Sequence, residues 1–542
     1  MDRNELDGCR LFGDLPAAAA RAWGDRPYLS FGSDGWSYAE FSQAVDRVAA
    51  ALLAQGLRRG DRIAIWMANR PENEFLLFAI ARIGGIVVPL NSRYRSEDAR
   101  YVIRHSECRA IFQVSKSGPV DYDALLSTCL GDVEARAGGG SACSGAPDLR
   151  YIVSIGASAI PGSTQWGDFL AGGQAAGALP PMPRDVAPED NLIIIYTSGT
   201  TGAPKGVRLN HRAVEMARDR ARIMGLQPSD TQVTYLPLFH TFGITFPMLM
   251  PIFAGARQIL VEEFDADRIL DLVESERIAM FHGFDTHFKD FLNAQRARPR
   301  DIGSLRLGTL AVGAVSSVEL ARQVQAELCP TLSAYGLTEV WGAVTMSPAD
   351  STVEQRCEAS GAAQAGVEMR TANPETGLLC APGVMGEIQL RCACQLSEYY
   401  RMPDETAKAI TADGWFRTGD AGIIRPDGHL RFLSRYKDIL KVGGENVSPA
   451  EIESILLSVP GVAQAAVVGA PDERLHEVAV AFVVRQPGSA LDEGGLVAHC
   501  KGKIASFKVP RRVIFLDSLP MTATGKVQKE KLRGQLGQMA AS

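Results

Sequence analysis

The chain has 542 residues, of which 46% are hydrophobic and 22% charged, and its formal net charge is −6. This composition is typical of a globular protein and excludes a disordered or fibrous one, and a chain of this length folds as at least two domains. Its 56 lysines and arginines form no basic cluster, so nothing in the sequence indicates nucleic-acid binding.

The N-terminal region predicts neither export nor a membrane span. Residues 1–30 include acidic side chains where a signal peptide requires a basic stretch followed by an apolar one. The most apolar stretch, 75–90, contains Arg82 and is shorter than the roughly 20 apolar residues of a membrane span. The closest cysteines, Cys392 and Cys394, lack the CxxC spacing of redox and zinc sites. We therefore expect reduced thiols and a cytoplasmic enzyme.

Short apolar runs alternate with helical patterns through most of the chain. A strand at 62–67, a helix after Pro71 and a strand at 86–89 form a first β-α-β unit. Glycine, alanine, serine and proline dominate 131–149 and 155–184, which predicts surface loops there.

From residue 191 the alternation of apolar runs and helices resumes. NLIIIYTS predicts a strand and HRAVEMARDRARIM a helix, and similar pairs continue to about residue 430, which indicates an α/β fold.

The last hundred or so residues have a different pattern. Ser448 as a cap, Pro449 in the first turn and Glu451 closing a capping box predict a helix that ends near Pro460. Two strand-like runs, a helical run and a last strand-like run follow, which predicts a compact α+β domain. We place the boundary before Arg435, giving domains of residues 1–434 and 435–542.

The region 196–207, Tyr-Thr-Ser-Gly-Thr-Thr-Gly-Ala-Pro-Lys-Gly-Val, carries the clearest chemical signal. Its glycines let backbone N–H groups approach phosphate oxygens, its hydroxyls donate hydrogen bonds, and Lys205 adds a positive charge. The common P-loop has Gly before its lysine and Ser or Thr after it, whereas Lys205 lies between Pro204 and Gly206. The region therefore predicts a polyphosphate-binding loop of another type.

This loop resembles that of the adenylate-forming (AMP-binding) superfamily, which includes acyl-CoA synthetases, nonribosomal-peptide adenylation domains and firefly luciferase. Four further segments resemble motifs of the same family in the same order: 334–339, 414–420, 435–447 and 520–526. The resemblance covers nearly the whole chain. It implies a large N-terminal α/β domain with mixed sheets, joined by a hinge to a small C-terminal α+β domain.

The family motifs imply a role for each matching residue. In Ala334-Tyr-Gly-Leu-Thr-Glu339, the aromatic ring would stack on adenine, Thr338 would bond the phosphate and Glu339 would help to hold Mg²⁺. Asp420 would accept hydrogen bonds from the ribose hydroxyls, with Arg435 as a further ribose contact. The implied nucleotide-binding residues are Thr197, Ser198, Gly199, Thr200, Thr201, Gly202, Lys205, Gly313, Ala314, Ala334, Tyr335, Gly336, Thr338, Asp420 and Arg435.

The resemblance also implies a two-step reaction with ATP, Mg²⁺ and CoA. A carboxylic acid would be activated as its acyl-adenylate with Lys526 at the reacting groups, and the small domain would then swing about Lys437. Gly443 and Gly444 leave room for a pantetheine arm, and the glycine pair favours CoA as the acceptor. The implied catalytic residues are Lys526, Thr338, Glu339 and His240.

The identity of the acid stays open at this level. His240 lies where amino-acid-activating relatives have an aspartate, which argues against α-amino acids and leaves fatty, alicyclic and aryl acids. Asp285, where the family usually has proline, could meet a polar group of the substrate or bond to the backbone, and Glu398 stands where glycine is common. Trp341 and Met346 follow the adenine motif and could shorten or widen the acyl pocket.

Other functions remain alternatives to an acyl-CoA synthetase. The chain could load an acyl group onto a carrier protein, or be a non-catalytic nucleotide-binding scaffold on the same fold. An oxidative, luciferase-like activity would require a luciferin pocket that the sequence does not reveal. Whether the chain forms a homodimer also stays open.

Overall fold

The described strands of this computed structural model form two large sheets, two smaller ones and two short hairpins. The residues that the structure describes are 3–137, 139–175, 186–197, 204–311, 317–442, 445–472, 474–501, 503–521 and 527–541.

The first large sheet contains nine strands, and its central pairs are parallel. Its strands in spatial order are β2 (Asp34–Ser37), β1 (Pro27–Phe31), β15 (Arg257–Leu260), β14 (Thr231–Thr234), β16 (Met280–Gly283), β17 (Leu307–Leu310), β18 (Thr331–Leu337), β19 (Gly342–Met346) and β20 (Ala362–Ala363). Because neighbouring parallel strands end at the same edge, the segments that follow β14, β16 and β18 lie together there.

The second large sheet contains eight strands and is also mixed. Its strands in spatial order are β11 (Thr164–Gln165), β10 (Tyr151–Ile155), β5 (Ala110–Val114), β3 (Arg62–Trp66), β4 (Ile86–Pro89), β12 (Asn191–Thr197), β13 (Lys205–Asn210) and β23 (Glu398–Tyr399). The pairs from β11 to β12 are parallel, whereas β12, β13 and β23 are antiparallel.

The two smaller sheets come from the later part of the chain. The antiparallel sheet consists of β21 (Val367–Ala372), β22 (Gly386–Cys392), β24 (Phe416–Ile424) and β25 (Leu430–Arg435). The C-terminal sheet consists of β27 (Glu445–Val447), β26 (Leu440–Val442), β29 (His476–Arg485), β28 (Val462–Asp472) and β30 (Arg512–Phe515). The hairpins pair β6 (Lys116–Ser117) with β7 (Val120–Asp121) and β8 (Val133–Ala135) with β9 (Ser141–Cys143).

The α-helices of the described residues flank these sheets. They are α1 (Arg3–Gly8), α2 (Leu15–Trp23), α3 (Tyr38–Ala54), α4 (Pro71–Arg82), α5 (Ser96–His105), α6 (Tyr122–Leu130), α7 (Trp166–Ala175), α8 (Ala213–Ile223), α9 (Thr241–Gly243), α10 (Met250–Ala254), α11 (Ala266–Glu276), α12 (Asp285–Ala297), α13 (Val318–Glu327), α14 (Val353–Glu358), α15 (Pro403–Ala409), α16 (Pro449–Leu457), α17 (Glu493–Lys501) and α18 (Lys529–Ala541). None of them is long and apolar enough to cross a membrane.

The hydrophobic cores follow the same division into a large N-terminal and a small C-terminal domain. The largest buried cluster joins the second large sheet to α2, α3 and α4, and separate clusters lie within residues 440–536. The α/β fold with mixed sheets and a small α+β domain is therefore confirmed. The chain passes from the antiparallel sheet at Arg435 to the C-terminal sheet at Leu440, five residues later.

Two local predictions from the sequence are wrong. The expected loops contain the hairpin of β8 and β9 and the helix α7, whose Phe169 packs edge-on against Phe112 with ring centroids 5.1 Å apart. The helix predicted after Ser448 exists, but the Ser448 side chain makes no capping hydrogen bond, and Glu451 bonds to Lys508 instead. In both cases a tertiary contact outweighs the local signal.

Candidate active site

The predicted phosphate loop connects two antiparallel strands of the second large sheet. Thr197 at the end of β12 is paired with Lys205 at the start of β13, so the loop begins and ends at the same place on the sheet edge. Its residues Ser198, Gly199, Thr200, Thr201 and Gly202 lie outside the described residues.

Lys205 lies between a carboxylate and an aromatic ring. Its ammonium binds the carboxylate of Glu405 and is 4.9 Å from the centroid of the Tyr399 ring. Glu405 also accepts a hydrogen bond from Lys408 at 2.8 Å. The hydrogen bonds from Lys205 and Lys408 lower the pKa of Glu405 to about 2, so Glu405 is a carboxylate at any physiological pH.

Glu339 lies in the short helical turn after β18, at the edge where the parallel strands end. The Tyr399 hydroxyl donates a hydrogen bond to Glu339 Oε1 at 2.9 Å, and the Leu396 N–H donates one to the Glu339 carbonyl at 2.7 Å. Burial and the nearby carboxylate of Glu339 raise the pKa of Tyr399, which keeps its hydroxyl protonated as a donor.

The Glu339 carboxylate fits the Mg²⁺ ion that the family resemblance implies there. Among the described residues, no cluster of three or more His, Cys, Asp or Glu side chains could hold a metal ion by itself. Mg²⁺ in nucleotide sites is usually bound by one or two carboxylates together with waters and substrate phosphates. A single carboxylate near the end of a phosphate loop agrees with that donor set.

Tyr335, Asp420 and Arg435 form one hydrogen-bonded group. The Tyr335 hydroxyl donates to Asp420 Oδ2 at 2.8 Å, and Arg435 Nε is 3.1 Å from Asp420 Oδ1. The group holds together because Asp420 in β24 is paired directly with Arg435 in β25. Phe432 covers one face of the Tyr335 ring, with centroids 5.5 Å apart. Asp420 itself is buried, so its orientation is fixed by these partners.

The remaining residues of the predicted adenine motif have structural contacts of their own. Ala334 is buried in β18, and a Cβ atom at Gly336 would lie 1.5 Å from the Gly342 carbonyl oxygen of β19. Thr338 begins the helical turn that carries Glu339, and its carbonyl accepts from the Trp341 N–H. The glycine is therefore required by the close approach of two strands.

Two family models match this chain. The family model described as AMP-binding enzyme matches residues 16–400, and the model described as AMP-binding enzyme C-terminal domain matches residues 451–526. The chain belongs to the AMP-binding enzyme family.

Relatives of this AMP-binding enzyme include ligases for chemically different acids. It is 35% identical to a methyl-dioxo-octahydro-indenyl-propanoyl:CoA ligase of Mycobacterium tuberculosis, with 97% of each chain covered. It is 31% identical to a mitochondrial medium-chain acyl-CoA ligase of Bos taurus, over 93% of this chain and 83% of the relative. The crystal structure of ATP-bound MatB from Rhodopseudomonas palustris is similar with a TM-score of 0.83 and 29% identity, over 96% of this chain and 98% of that one.

His240 and Asp285 of this AMP-binding enzyme follow neighbouring parallel strands. His240 precedes the short helix α9 after β14, and the centroids of its ring and the Phe239 ring are 4.5 Å apart. Asp285 is the first residue of α12 after β16, and its carboxylate accepts a hydrogen bond from the Ser317 hydroxyl. Burial raises the pKa of Asp285.

Trp341 and Met346 are both core residues. The Trp341 indole is fully buried and donates to the Asn210 carbonyl at 2.9 Å, and Met346 is 3% exposed.

The hinge predicted at Lys437 contacts the C-terminal helix. Lys437 Nζ is 3.2 Å from Glu530 Oε1, and Arg533 donates to Asp438 at 2.6 Å. Both contacts join the segment after β25 to α18. Lys526, Gly313, Ala314, Gly443 and Gly444, which the sequence assigns to the site, lie outside the described residues.

Tyr399, Glu405 and Phe432 are site neighbours that the sequence does not reveal. Each contacts a predicted site residue from a distant part of the chain, so no spacing rule could find them. The unexplained Glu398 forms a cross-strand ion pair with Arg208 at 2.8 Å, in the strand pair next to Tyr399. Its role in the structure is therefore to join β23 to β13.

Proposed function

We propose that this AMP-binding enzyme is an AMP-forming acid:CoA ligase that activates a fatty, alicyclic or aryl carboxylic acid. One observation carries the proposal: residues from four separate motifs contact one another or share a partner. Lys205 and Glu339 contact the same tyrosine, and Tyr335 and Arg435 bind the same carboxylate, that of Asp420. The similarity to CoA ligases over nearly the whole chain supports the same reaction.

The nucleotide would be held at both of its ends. Asp420 accepts hydrogen bonds from the ribose hydroxyls, and the Tyr335 ring contacts adenine on the face opposite Phe432. Lys205 and the loop before it bind the β- and γ-phosphates. When bound at Glu339, Mg²⁺ neutralises negative charge on the phosphate oxygens.

In the first half-reaction the substrate carboxylate attacks the α-phosphorus of ATP and pyrophosphate leaves. Negative charge builds up on the phosphoryl oxygens, so positioning and charge stabilisation supply most of the catalysis. Lys526 would reach between the carboxylate and the α-phosphate. Because the substrate itself is the nucleophile, no enzyme residue needs to become covalently attached.

In the second half-reaction the CoA thiol attacks the acyl carbon and AMP leaves. We place the hinge for the intervening domain movement between Arg435 and Leu440, where the chain passes from one sheet to the next. The Lys437–Glu530 ion pair is partly exposed, so breaking it costs about 1 kcal/mol or less. This pair by itself therefore does not prevent a domain swing.

The acid would lie near the carboxyl ends of β14 and β16. His240 and Asp285 follow these strands, and His240 carries no negative charge that would bind a substrate ammonium. Glu339 follows a strand that ends at the same edge of the first large sheet, which supports an acid site near the nucleotide.

The test measures pyrophosphate release from ATP and Mg²⁺ with short, medium, long, alicyclic and aryl acids. Each acid is assayed alone, with CoA and with a phosphopantetheinyl carrier protein, and products are identified by mass spectrometry. We expect release that depends on one class of acid, and acyl-CoA together with equimolar AMP only when CoA is present.

Two results would contradict the proposal. Acyl transfer to the carrier protein but not to CoA would indicate the carrier-loading function. ATP binding without pyrophosphate release for any acid would indicate a non-catalytic scaffold.

A further inference from the structure

Tyr399 contacts the two residues that the proposed function assigns to phosphate and to metal. Its hydroxyl donates to Glu339 Oε1 at 2.9 Å, and the Lys205 ammonium is 4.9 Å from its ring centroid. The tyrosine is 7% exposed, so both contacts are largely shielded from water. One buried side chain therefore joins the end of the phosphate loop to the carboxylate after β18.

The backbone around Tyr399 is held from several sides. β23 pairs with β13 through Val207 and Arg208, which places Tyr399 two residues along the sheet from Lys205. The Tyr399 N–H donates to the Thr406 hydroxyl at 2.9 Å. These bonds fix the ring with respect to both the phosphate-loop strand and α15.

The same segment also fixes Glu339 and Lys205 by independent contacts. Leu396 N–H bonds to the Glu339 carbonyl, and Glu405 binds Lys205 from the start of α15. Residues 396–406 therefore contact the backbone and the side chain of Glu339 and the side chain of Lys205. Such an arrangement orders two charged groups of opposite sign before any ligand arrives.

We infer that Tyr399 is a positioning residue that orients the Glu339 carboxylate for the metal bound with ATP, while its ring supports Lys205 at the phosphates. The inference rests on the proposed function. The hydroxyl holds one carboxylate oxygen in a fixed direction, which removes rotational freedom that metal binding would otherwise have to restrict. The ring provides a negative face for the ammonium.

The test replaces Tyr399 with phenylalanine and measures nucleotide binding rather than turnover. Binding of ATP is measured by calorimetry at increasing Mg²⁺, and in EDTA without free metal. Loss of a hydrogen bond to a charged group weakens binding by about tenfold in the dissociation constant. We expect Tyr399→Phe to raise the half-saturating Mg²⁺ concentration about tenfold and to change ATP binding in EDTA less than about twofold, since the ring remains.

The neighbouring tyrosine provides a matched control. Tyr400→Phe removes the same hydroxyl one residue along the chain, where the side chain is directed toward His105, with ring centroids 5.9 Å apart. We expect it to leave the Mg²⁺ dependence unchanged. Thermal melting of both variants verifies that each is folded.

A double-mutant cycle shows whether Tyr399 acts through Glu339. In a Glu339→Gln background the carboxylate is absent, so Tyr399→Phe should have no further effect on the Mg²⁺ dependence. An equal effect in both backgrounds would overturn the inference.

Three other results would also decide against it. An unchanged Mg²⁺ dependence in Tyr399→Phe would overturn it, as would equal shifts in Tyr399→Phe and Tyr400→Phe. Wild-type protein that binds no ATP at any Mg²⁺ concentration would overturn the proposed function and the inference with it, whereas the first two results leave the proposed function intact.

Discussion

Replacement of Asp420 by asparagine tests the nucleotide site most sharply. Asparagine keeps the size of the side chain but removes the charge and one acceptor oxygen. The partners at Tyr335 and Arg435 orient the wild-type carboxylate, which would accept both ribose hydroxyls. Hydrogen bonds to a charged group contribute about 1.5 to 3 kcal/mol each. We therefore expect kcat/KM for ATP to fall roughly a hundredfold.

Deoxynucleotides separate loss of ribose contacts from general damage at Asp420. For the wild-type enzyme, kcat/KM should be about tenfold higher with ATP than with 2′-deoxyATP or 3′-deoxyATP. For the variant, this ratio should be less than about threefold. The ratio is independent of the active fraction because both nucleotides are assayed on one preparation. Asp427→Asn is the matched control, since Asp427 bonds within the turn between β24 and β25. A variant that keeps the wild-type ratio would refute the ribose assignment.

Three further changes test other parts of the molecule. Glu405→Gln should lower the KM for ATP about two- to fivefold, because phosphate no longer displaces a carboxylate from Lys205; an unchanged or higher KM would speak against that competition. Lys526→Ala should lower adenylation about a hundredfold while transfer from pre-made acyl-adenylate to CoA largely survives, with Lys531→Ala as the control; equal losses in both half-reactions would exclude the assigned role. Burial raises the pKa of Glu74 from 4.5 to about 8, so its contribution to stability is present below about pH 4.5 and is lost as the pH rises toward 8. Glu74→Gln should therefore stabilise the fold by about 3 kcal/mol at pH 7 and by almost nothing at pH 4 in denaturant titrations, and a difference independent of pH would contradict this.

The sequence predicted several strands well because their signal is local. Long apolar runs such as 191–195 form interior strands of the second large sheet. Helix α7 was not predictable in this way. Its glycines and alanines are typical of a loop, whereas in the structure the buried ring of Phe169 packs against Phe112 of β5.

The sequence predicts the site residues that lie within family motifs. It does not predict the residues that contact them only in the folded structure. Tyr399 is 60 residues from Glu339 in sequence, and only the pairing of β23 with β13 brings it to the site. Arg220 illustrates the same limit in the core. It lies on a helix that the sequence predicts, but its guanidinium is fully buried 4.5 Å from the Phe246 ring centroid, and burial lowers its pKa to about 9. No periodic pattern indicates a buried cation.

The most direct test of the reaction follows the oxygen atoms of the acid. The enzyme is incubated with ATP, Mg²⁺, CoA and an accepted acid labelled with ¹⁸O in its carboxylate, and the products are analysed by mass spectrometry. Attack of the carboxylate on the α-phosphorus transfers one labelled oxygen to AMP, so we expect AMP heavier by one ¹⁸O and an acyl-CoA that retains the other. Label in inorganic phosphate with release of ADP, or unlabelled AMP beside unchanged acid, would contradict an AMP-forming ligase.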